Sequence, residues 1–316
     1  MIPKEILELL KKQHYCIVGN HSGVQICRWT KKSLMNEGFC YKEKFYGIKS
    51  HLCCQMSPAV AFCYNHCLHC WRAIEKTAGN IINKEEADKP EEIIERCIEA
   101  QRKLLSGFGG NKKVNIEKLN EAQNPKQFAI SLSGEPFIYP YLPELIFNLN
   151  KRKCTSFIVS SGVLPEKILE LKEKNALPTQ LYISVNAPNE KLFNKIVRSD
   201  LKDAWERYNK SLSILSKLNC RTALRITLIR KINMCDFRGY SELIKKANPW
   251  FVEIKGFISV GFARKRLCYD KMPTHEEIKK FSKKLLRYLP DYEIADEKKE
   301  SKVVLLSRKN INKTIK

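Results

Sequence analysis

Apolar residues recur along this chain at two spacings that alternate. Short apolar runs rich in β-branched residues predict buried strands at residues 128–133, 156–160, 180–185, 223–229 and 251–256. Between them, apolar residues three and four positions apart predict helices near residues 141–150, 165–174, 201–215 and 237–247. Alternating strands and helices favour a parallel sheet with right-handed crossovers.

Further elements are expected on both sides of this region. Amphipathic helices are predicted over residues 3–14 and from about residue 86 to the glycines of 106–110. One more strand is expected between a cysteine-rich loop at 63–71 and residue 110, which makes about six strand–helix units. Six units fall short of the eight in a closed barrel, so the expected fold class is α/β, with a partial, open barrel of six units.

The two ends of the chain differ from this pattern. Residues 15–62 show little periodicity and predict an irregular extension whose order depends on bound metal. Near the C-terminus, Thr274 and Glu277 form a capping-box pattern, a pair of strands is expected at 292–295 and 303–307, and a basic tail follows. The predicted domains are an N-terminal extension (1–62), the barrel core (63–260) and a C-terminal extension (261–316).

Polar residues follow several predicted strands at the point where each strand ends. Since ligands bind at the carboxyl ends of parallel strands, one active site is expected at that edge. The residues concerned are Ser133-Gly134-Glu135, Ser160-Ser161-Gly162, Ser184, Asn186, Thr227 and Lys255-Gly256.

Charge and composition restrict the class of partner. The 57 Lys and Arg against 34 Asp and Glu give a net charge of +23, which favours a polyanion such as nucleic acid, although a generally basic proteome would produce the same excess. No apolar run approaches the length of a membrane span, and the N-terminus lacks a secretory pattern. We therefore expect a cytoplasmic protein without membrane contact.

Three cysteines lie close together in the loop at 63–71. Cys63, Cys67 and Cys70 follow C-x3-C-x2-C spacing, and three thiolates can hold an iron–sulfur cluster while one iron keeps no protein ligand. A zinc knuckle is the alternative, but structural zinc sites usually consist of two C-x2-C halves. The spacing therefore predicts a cluster that binds something besides protein.

A second set of cysteines precedes this loop. Cys27, Cys40 and either Cys53 or Cys54 are too widely spaced for one compact loop, but an irregular segment could bring them together. The alternative is that they are buried thiols, as expected for the scattered cysteines elsewhere in the chain. A second cluster with an open iron would bind a small co-substrate through carboxylate or carbonyl oxygens.

The loop at 63–70 resembles the signature of the radical S-adenosylmethionine enzymes. The resemblance implies a 4Fe-4S cluster whose open iron binds S-adenosylmethionine, and an electron that cleaves this cofactor to a 5′-deoxyadenosyl radical. Ser133-Gly134-Glu135-Pro136 resembles the superfamily's Gly-Gly-Glu element, with Ser133 in place of the first glycine. By the same resemblance Gly134 and Glu135 hold the methionine amine, Ser184 and Asn186 lie near the ribose, and Arg225 and Thr227 reach toward the cofactor's carboxylate.

A narrower resemblance extends over roughly residues 20–290. Residues 50–58, leading into Cys63–Arg72, are similar to the archaeal-type 4-demethylwyosine synthases, and so are residues 40–47, 225–228 and 272–277. The resemblance implies two 4Fe-4S clusters. Because the third auxiliary ligand of that family follows Ser-His-x, it selects Cys53, with Cys54 as the neighbouring alternative.

The family resemblance also implies a reaction. Its substrate is 1-methylguanosine beside the anticodon of phenylalanine tRNA; the adenosyl radical removes a hydrogen from the N-methyl group, and the carbon radical adds to pyruvate held at the second cluster. Ring closure then gives the tricyclic base, with formate as by-product. No flavin-binding segment is visible in the sequence, so a separate electron donor of the flavodoxin or ferredoxin type is expected, and we expect a monomer.

Lysines and arginines complete the candidate site. A lysine could hold pyruvate as a Schiff base, because a desolvated or cation-crowded amine is nucleophilic. Lys42 fits the family position, Lys44 and Lys49 are alternates, and a phosphate-binding surface lysine is the competing interpretation. Arg264, Lys265 and Arg266 are predicted to contact RNA at the mouth of the site, through salt-dependent phosphate contacts.

Two other functions remain open at this stage. A radical methylthiotransferase also carries upstream cysteines, but they usually lie farther apart and accompany a C-terminal barrel that is not visible here. A zinc-stabilised RNA-binding protein without catalysis is the alternative from another class.

Overall fold

The computed structural model describes residues 1–315 and forms one mixed α/β structure around a ten-stranded sheet. Its strands are β1 (Cys16–Val18), β2 (Ser22–Val24), β3 (Cys53–Ser57), β4 (Gln127–Ile130), β5 (Thr155–Ser160), β6 (Gln180–Val185), β7 (Arg221–Leu228), β8 (Phe251–Gly256), β9 (Tyr292–Lys298) and β10 (Val303–Arg308). Its helices are α1 (Lys4–Lys12), α2 (Arg28–Leu34), α3 (Tyr41–Tyr46), α4 (Pro90–Leu105), α5 (Ile116–Ala122), α6 (Leu142–Lys151), α7 (Pro165–Glu173), α8 (Glu190–Val197), α9 (Ala204–Leu215), α10 (Phe237–Ala247) and α11 (His275–Leu286).

The strand order is β1-β2-β3-β4-β5-β6-β7-β8-β10-β9. The six strands from β3 to β8 pair in parallel, each with the next strand in sequence. Antiparallel strands border them on both sides, β2 against β3 and β10 against β8. Six consecutive parallel strands joined by helices confirm the predicted α/β fold with a partial barrel.

The predicted elements of the barrel lie close to their observed positions. The strand predicted at 180–185 and the helix predicted at 237–247 coincide with β6 and α10. The capping box at Thr274 is present, because its side chain accepts from the Glu277 N–H while the Glu277 carboxylate accepts from the Thr274 N–H. None of the helices in residues 1–315 has the length and apolarity that a membrane crossing needs.

Two expectations about local structure were wrong, and one helix was missed. The first parallel strand is β3, before the cysteine-rich loop rather than after it, because Cys53–Ser57 contains no β-branched residue to indicate a strand. The segment 15–62 is not irregular but contains β1, β2, β3, α2 and α3. The short helix α8 was also not predicted, and Asn189 caps it by accepting from the Leu192 N–H.

Successive residues of the parallel strands point to opposite faces of the sheet. On the outer face, Ile158, Ile183 and Leu224 belong to the large core that also contains buried residues of the surrounding helices. On the inner face, Phe157, Tyr182, Ala223 and Phe251 pack with residues of α3 in a separate buried cluster. The helix α3 therefore fills the interior of the barrel, and it does so with Tyr41, Phe45 and Tyr46.

The loop after β4 approaches the chain before the cysteine-rich loop very closely. Gly134 has φ of +76°, and a Cβ at this position would lie 1.8 Å from the carbonyl oxygen of Ala59. Next to it, the Glu135 N–H donates to the Phe62 carbonyl (2.8 Å), and the Ser133 hydroxyl donates to the Val60 carbonyl (2.8 Å). Only glycine therefore fits where these two segments meet.

We predict that Gly134→Ala lowers the free energy of unfolding by about 3 kcal/mol or more, because the new methyl group meets backbone and the left-handed conformation is strained. The measurement is chemical denaturation of the variant and the parent protein under identical anaerobic conditions. Gly110→Ala is the control, since a Cβ there meets nothing within 4 Å. Equal unfolding midpoints for both variants would contradict the close approach of these two segments.

Candidate active site

A single cavity of about 920 Å³ lies at the carboxyl ends of the parallel strands. It is lined by most of the residues that the sequence predicted for the site: Cys27, Cys40, Lys42, Cys53, Cys63, Cys67, Cys70, Gly134, Glu135, Ser184, Asn186, Arg225 and Thr227. The polar strand ends therefore surround one cavity, as expected from the topology. The roles of the individual residues stay predictions.

The loop that carries Cys63, Cys67 and Cys70 is held by backbone hydrogen bonds on both sides. The Cys63 N–H donates to the Gly79 carbonyl (3.0 Å), and the Leu68 N–H donates to the Ile196 carbonyl at the end of α8 (2.9 Å). Inside the loop, the Cys70 N–H donates to the Cys67 carbonyl (3.0 Å). These bonds fix the loop at the cavity, which all three cysteines line.

The thiols of Cys63 and Cys67 are desolvated. Burial raises the pKa of Cys63 to about 12, against the opposing effect of the nearby Arg72 guanidinium, and burial also raises the pKa of Cys67 well above its usual value. A metal ion removes the proton of a coordinating thiol outright. Partly buried thiols that share one wall of a cavity therefore suit a metal cluster better than a free thiolate nucleophile.

Arg72 is buried directly behind this loop. Its guanidinium donates to the carbonyls of Ala61 (3.2 Å) and Asn65 (3.4 Å), and its Nε has no hydrogen-bond partner within residues 1–315. The side chains of Asn65 and Asn186 and the Nδ1 of His69 also leave buried polar atoms unpaired in the described chain. All four residues line the cavity, so its wall offers polar atoms that fit a polar ligand.

Glu135 is buried at the end of β4. One carboxylate oxygen accepts from the Ser161 N–H (2.9 Å) and the Ser161 hydroxyl (2.6 Å), and the other accepts from the Phe137 N–H (3.4 Å). Burial raises the pKa of this carboxyl, against the hydrogen bonds from Ser161. A carboxylate has about four acceptor sites and these bonds use three, so Glu135 can still accept from a cationic group in the cavity, as its predicted role requires.

The second set of cysteines is brought together by Ser50. Cys27 directly precedes α2, Cys40 directly precedes α3, and the Cys40 N–H donates to the Ser50 hydroxyl (2.8 Å). That hydroxyl donates to Glu43 of α3 (2.6 Å), and the Thr30 hydroxyl of α2 donates to the Ser50 carbonyl (3.1 Å). The two helices and the start of β3 are thus joined at one point.

The structure separates Cys53 from Cys54. Because side chains alternate along β3, Cys53 lines the cavity while Cys54 lies in the outer core and is fully buried there. Burial raises the pKa of Cys53 well above its usual value, and Cys27 and Cys40 raise it further. The raised pKa of Cys54 has burial and the neighbouring Cys97 as its main causes. Cys53 is therefore the residue that faces the other two cysteines.

Within residues 1–315, no three His, Cys, Asp or Glu side chains converge closely enough to hold a single metal ion. Thiolate ligands of one zinc ion lie about 2.3 Å from the metal and hence close to one another. Ligands of different irons in a cluster are farther apart than that. The described residues therefore contain no preformed site for a single metal ion.

Lys42 lies in the barrel interior and is 7% exposed. Its Nζ stands 4.6 Å from the ring centre of Phe157 and 4.9 Å from that of Tyr182. Burial lowers the pKa of this amine, and the neighbouring Arg225 lowers it further. The neutral, nucleophilic form is therefore easier to reach than in a solvent-exposed lysine.

The two alternate lysines do not share this position. Lys44 makes an ion pair with Asp296 (2.8 Å), and Lys49 is 61% exposed and 3.9 Å from Glu121. Neither of them lines the cavity. The helix α3 directs Lys42 and Lys44 to different sides, so the cation beside Lys42 is Arg225 and not Lys44.

A functional candidate that the sequence did not reveal is Glu253, a carboxylate on β8 that is 0% exposed. Its two oxygens accept from the hydroxyls of Tyr46 (2.9 Å) and Tyr41 (3.0 Å), and the second oxygen also accepts from Arg225 Nε (3.0 Å). Burial alone would raise the pKa of Glu253, but the Arg225 guanidinium holds that pKa below its usual value. This carboxylate therefore connects α3 to β7 and β8.

Lys255, two residues farther along β8, also lines the cavity. Its Nζ donates to the Ser301 carbonyl (3.0 Å) and stands 5.0 Å from the ring centre of Tyr41. Burial lowers the pKa of Lys255 to about 8, and Arg225 contributes further. The alternation of charged and apolar residues in Phe251–Gly256 is the sequence signal that could have placed Glu253 and Lys255 on one face.

Arg266, one of the three residues predicted to contact RNA, lies against the cysteine-rich loop instead. Its side chain is 9% exposed, and it donates to the carbonyls of Leu68, Cys70 and Arg72 and pairs with Glu75. A guanidinium with these partners holds the cysteine-rich loop and is not free for a phosphate. Arg264 and Lys265 are exposed in the adjacent 3₁₀ turn, where the Phe262 N–H donates to the Trp71 carbonyl (2.9 Å) at the cavity rim.

Two family models match the chain. Residues 58–244 match the radical SAM superfamily, and residues 246–308 match a family described as wyosine base formation. The chain is also similar to curated proteins named S-adenosyl-L-methionine-dependent tRNA 4-demethylwyosine synthase. It is 46% identical to that of Pyrococcus horikoshii over 98% of this chain and 91% of the relative, and 38% identical to that of Methanocaldococcus jannaschii over 98% of both.

Solved structures of TYW1 are also similar to this chain. A structure of TYW1 with a lysine–pyruvate adduct bound matches with a TM-score of 0.86 and 37% identity, over 100% of this chain and 98% of the other. A crystal structure of archaeal TYW1 matches with a TM-score of 0.80 and 36% identity over the whole of both chains. The similarity therefore includes the N-terminal cysteines and the C-terminal strands.

We predict that Cys53→Ala removes about half of the iron and sulfide from the anaerobically reconstituted protein, because Cys53 lines the cavity together with Cys27 and Cys40. The measurement is chemical iron and sulfide analysis per chain. Cys54→Ala is the matched control and should keep the full amount, since its side chain belongs to the outer core. A loss of iron with Cys54→Ala alone would contradict the assignment.

Proposed function

Because the chain belongs to the radical SAM tRNA 4-demethylwyosine synthases, we propose that it condenses the 1-methylguanosine beside the anticodon of phenylalanine tRNA with pyruvate to form 4-demethylwyosine. The main support is the position of the Lys42 amine, buried in the same cavity as both cysteine sets. A nucleophilic amine, two cluster-type cysteine sets and a buried carboxylate in one chamber are the groups that this reaction needs.

Two 4Fe-4S clusters are proposed, one held by Cys63, Cys67 and Cys70 and the other by Cys27, Cys40 and Cys53. When bound, the first cluster and S-adenosylmethionine supply an adenosyl radical. Glu135, with lone pairs free beyond its bonds from Ser161, receives the methionine ammonium of the cofactor. Ser184, Asn186 and Thr227 contact the remainder of the cofactor from neighbouring strand ends, and Gly134 brings Glu135 against the cysteine-rich loop.

Lys42 holds the co-substrate. Its neutral Nζ adds to the carbonyl carbon of pyruvate, and the two amine protons leave with the carbonyl oxygen as water, which gives an imine. The rings of Phe157 and Tyr182 beneath the amine exclude water from this bond. A solved relative, TYW1 with a lysine–pyruvate adduct bound, supports this role.

The tRNA approaches the cavity rim. Arg264 and Lys265 are exposed there beside Trp71, and the net charge of +23 favours a polyanion. The methylated base must leave its stack to enter the cavity, as in other base-modifying enzymes. We further propose a monomer that acts on tRNA in the cytoplasm and takes its electrons from a separate flavodoxin- or ferredoxin-type donor.

The reaction itself is the direct test. Anaerobic incubation with S-adenosylmethionine, pyruvate, a chemical reductant and 1-methylguanosine-containing tRNA is expected to give a tricyclic nucleoside that is detected by mass analysis. Deoxyadenosine without the tricyclic nucleoside would mean that the radical chemistry is right and the substrate wrong. Transfer of a methylthio group to the tRNA would instead support the methylthiotransferase.

Lys42→Ala is expected to abolish the tricyclic product and the borohydride-trapped pyruvate adduct, because the Lys42 Nζ makes no hydrogen bond to the described residues, whereas the Nζ of Lys255 in the same cavity donates to the Ser301 carbonyl. Lys44→Ala and Lys49→Ala serve as matched controls, since both side chains lie outside the cavity, and they should retain the adduct. The measurement is intact-protein mass after reduction. A pyruvate adduct that persists in Lys42→Ala would move this role to another lysine.

A further inference from the structure

The guanidinium of Arg225 is only partly used by the protein. Its Nε donates to Glu253 (3.0 Å) and its Nη2 donates to the Tyr41 hydroxyl (3.0 Å). Its Nη1 donates to no atom of the described residues, and the side chain, 17% exposed, lines the cavity. One edge of a buried guanidinium is thus fixed by a carboxylate and a phenol while the other faces open space.

Arg225 is a close neighbour of Lys42. Both cationic groups stand over the same aromatic ring, since the Arg225 Cζ is 4.7 Å from the ring centre of Tyr182 and the Lys42 Nζ is 4.9 Å from it. Arg225 is also the main cationic neighbour that lowers the pKa of Lys42 and of Lys255.

Basic side chains are concentrated at one end of the cavity. Arg225, Lys42 and Lys255 face the buried end of the cavity, and Glu253 is the carboxylate among the described residues that lies with them. Buried cations are normally paired, and a guanidinium matches a carboxylate through two parallel N–H donors. The Arg225 donors that the protein leaves unused can therefore bind one further carboxylate next to the Lys42 amine.

We propose that Arg225 is the receptor for the carboxylate of the keto acid that Lys42 binds, rather than a ligand of the S-adenosylmethionine carboxylate as the family resemblance implied. This inference rests on the proposed function, since it requires the adduct on Lys42. It makes the site selective for α-keto acids, because the ketone carbon reaches the amine only when the neighbouring carboxylate is held by the guanidinium. Glu253 keeps the guanidinium in this orientation.

The test compares two ketones on the anaerobically reconstituted enzyme. Pyruvate and methyl pyruvate carry the same ketone, but the ester has no carboxylate charge. Borohydride trapping followed by intact-protein mass gives the concentration of each that produces half-maximal adduct. In the parent enzyme, methyl pyruvate should need on the order of 10- to 100-fold more than pyruvate, the ratio expected for charge-assisted hydrogen bonds. Equal concentrations would overturn the proposal without any variant.

Arg225→Lys then tests the residue. It keeps a positive charge beside Glu253 but loses the planar pair of donors, so the half-maximal pyruvate concentration should rise on the order of 10-fold or more while that of methyl pyruvate stays the same. An equal rise for both ketones would overturn the proposal, because it would indicate a general disturbance of Lys42.

Arg221→Lys is the matched control, four residues earlier on the same strand. This guanidinium is also packed on aromatic rings, but it donates to Gln180 and to the carbonyls of Asn312 and Lys313 and lies outside the cavity. The Arg221→Lys variant should leave the half-maximal concentrations of both ketones unchanged. Lys255→Gln tests whether Lys255 binds the carboxylate instead. If this variant removes the preference for pyruvate and Arg225→Lys does not, Arg225 is not the receptor.

Two failures can be told apart. If the parent enzyme forms no adduct with either ketone, Lys42 does not bind the co-substrate, and both the proposed function and this inference are wrong. If an adduct forms without preference for the carboxylate, or with a preference that Arg225→Lys does not reduce, the proposed function stands and only the role of Arg225 is wrong.

Discussion

The buried carboxylate of Glu253 is the interaction on which the interior of this barrel depends. It accepts from two tyrosines of α3 and from Arg225 of the neighbouring strand, with no exposure to solvent. Removing one partner of such a buried pair typically costs about 3–5 kcal/mol, because a charge remains without compensation. The position of α3, and with it the position of Lys42 and of Cys40 directly before the helix, therefore follows from one side chain on β8.

As a consequence of this arrangement, the cysteine-rich loop and the residues around Lys42 line the same cavity. The cysteine-rich loop, held by α8 and by Arg266 of the C-terminal region, supplies one wall. The cysteines around Ser50 and the amine on α3 supply the opposite, deeper part. The proposed function needs this proximity, since a carbon radical formed on the base must reach its reaction partner before another hydrogen donor quenches it. Under that proposal the barrel interior, which other proteins could fill with apolar residues, holds the co-substrate.

Much of this could be predicted from the sequence, for physical reasons that differ between elements. The strands β5 to β8 are apolar runs with β-branched residues, so their pattern was sufficient, and ligands at their carboxyl ends followed from topology. The strand β3 was missed because Cys53–Ser57 contains none of the residues that favour strands, yet it decides that Cys53 and not Cys54 faces the cavity. Glu253 was missed because a charged residue in a strand does not reveal a partner 212 residues away, such as Tyr41. Arg266 was assigned to RNA because sequence charge does not distinguish an exposed guanidinium from one that binds backbone carbonyls.

The central claim is that two separate clusters face one cavity, each on its own set of three cysteines. The most direct measurement is anomalous diffraction at the iron absorption edge from anaerobically grown crystals of the reconstituted protein. We expect two distinct groups of iron atoms, one against Cys63, Cys67 and Cys70 and the other against Cys27, Cys40 and Cys53, with Lys42 beside the second. A single group of irons, or a second group bound through Cys54 or away from this cavity, would contradict the account.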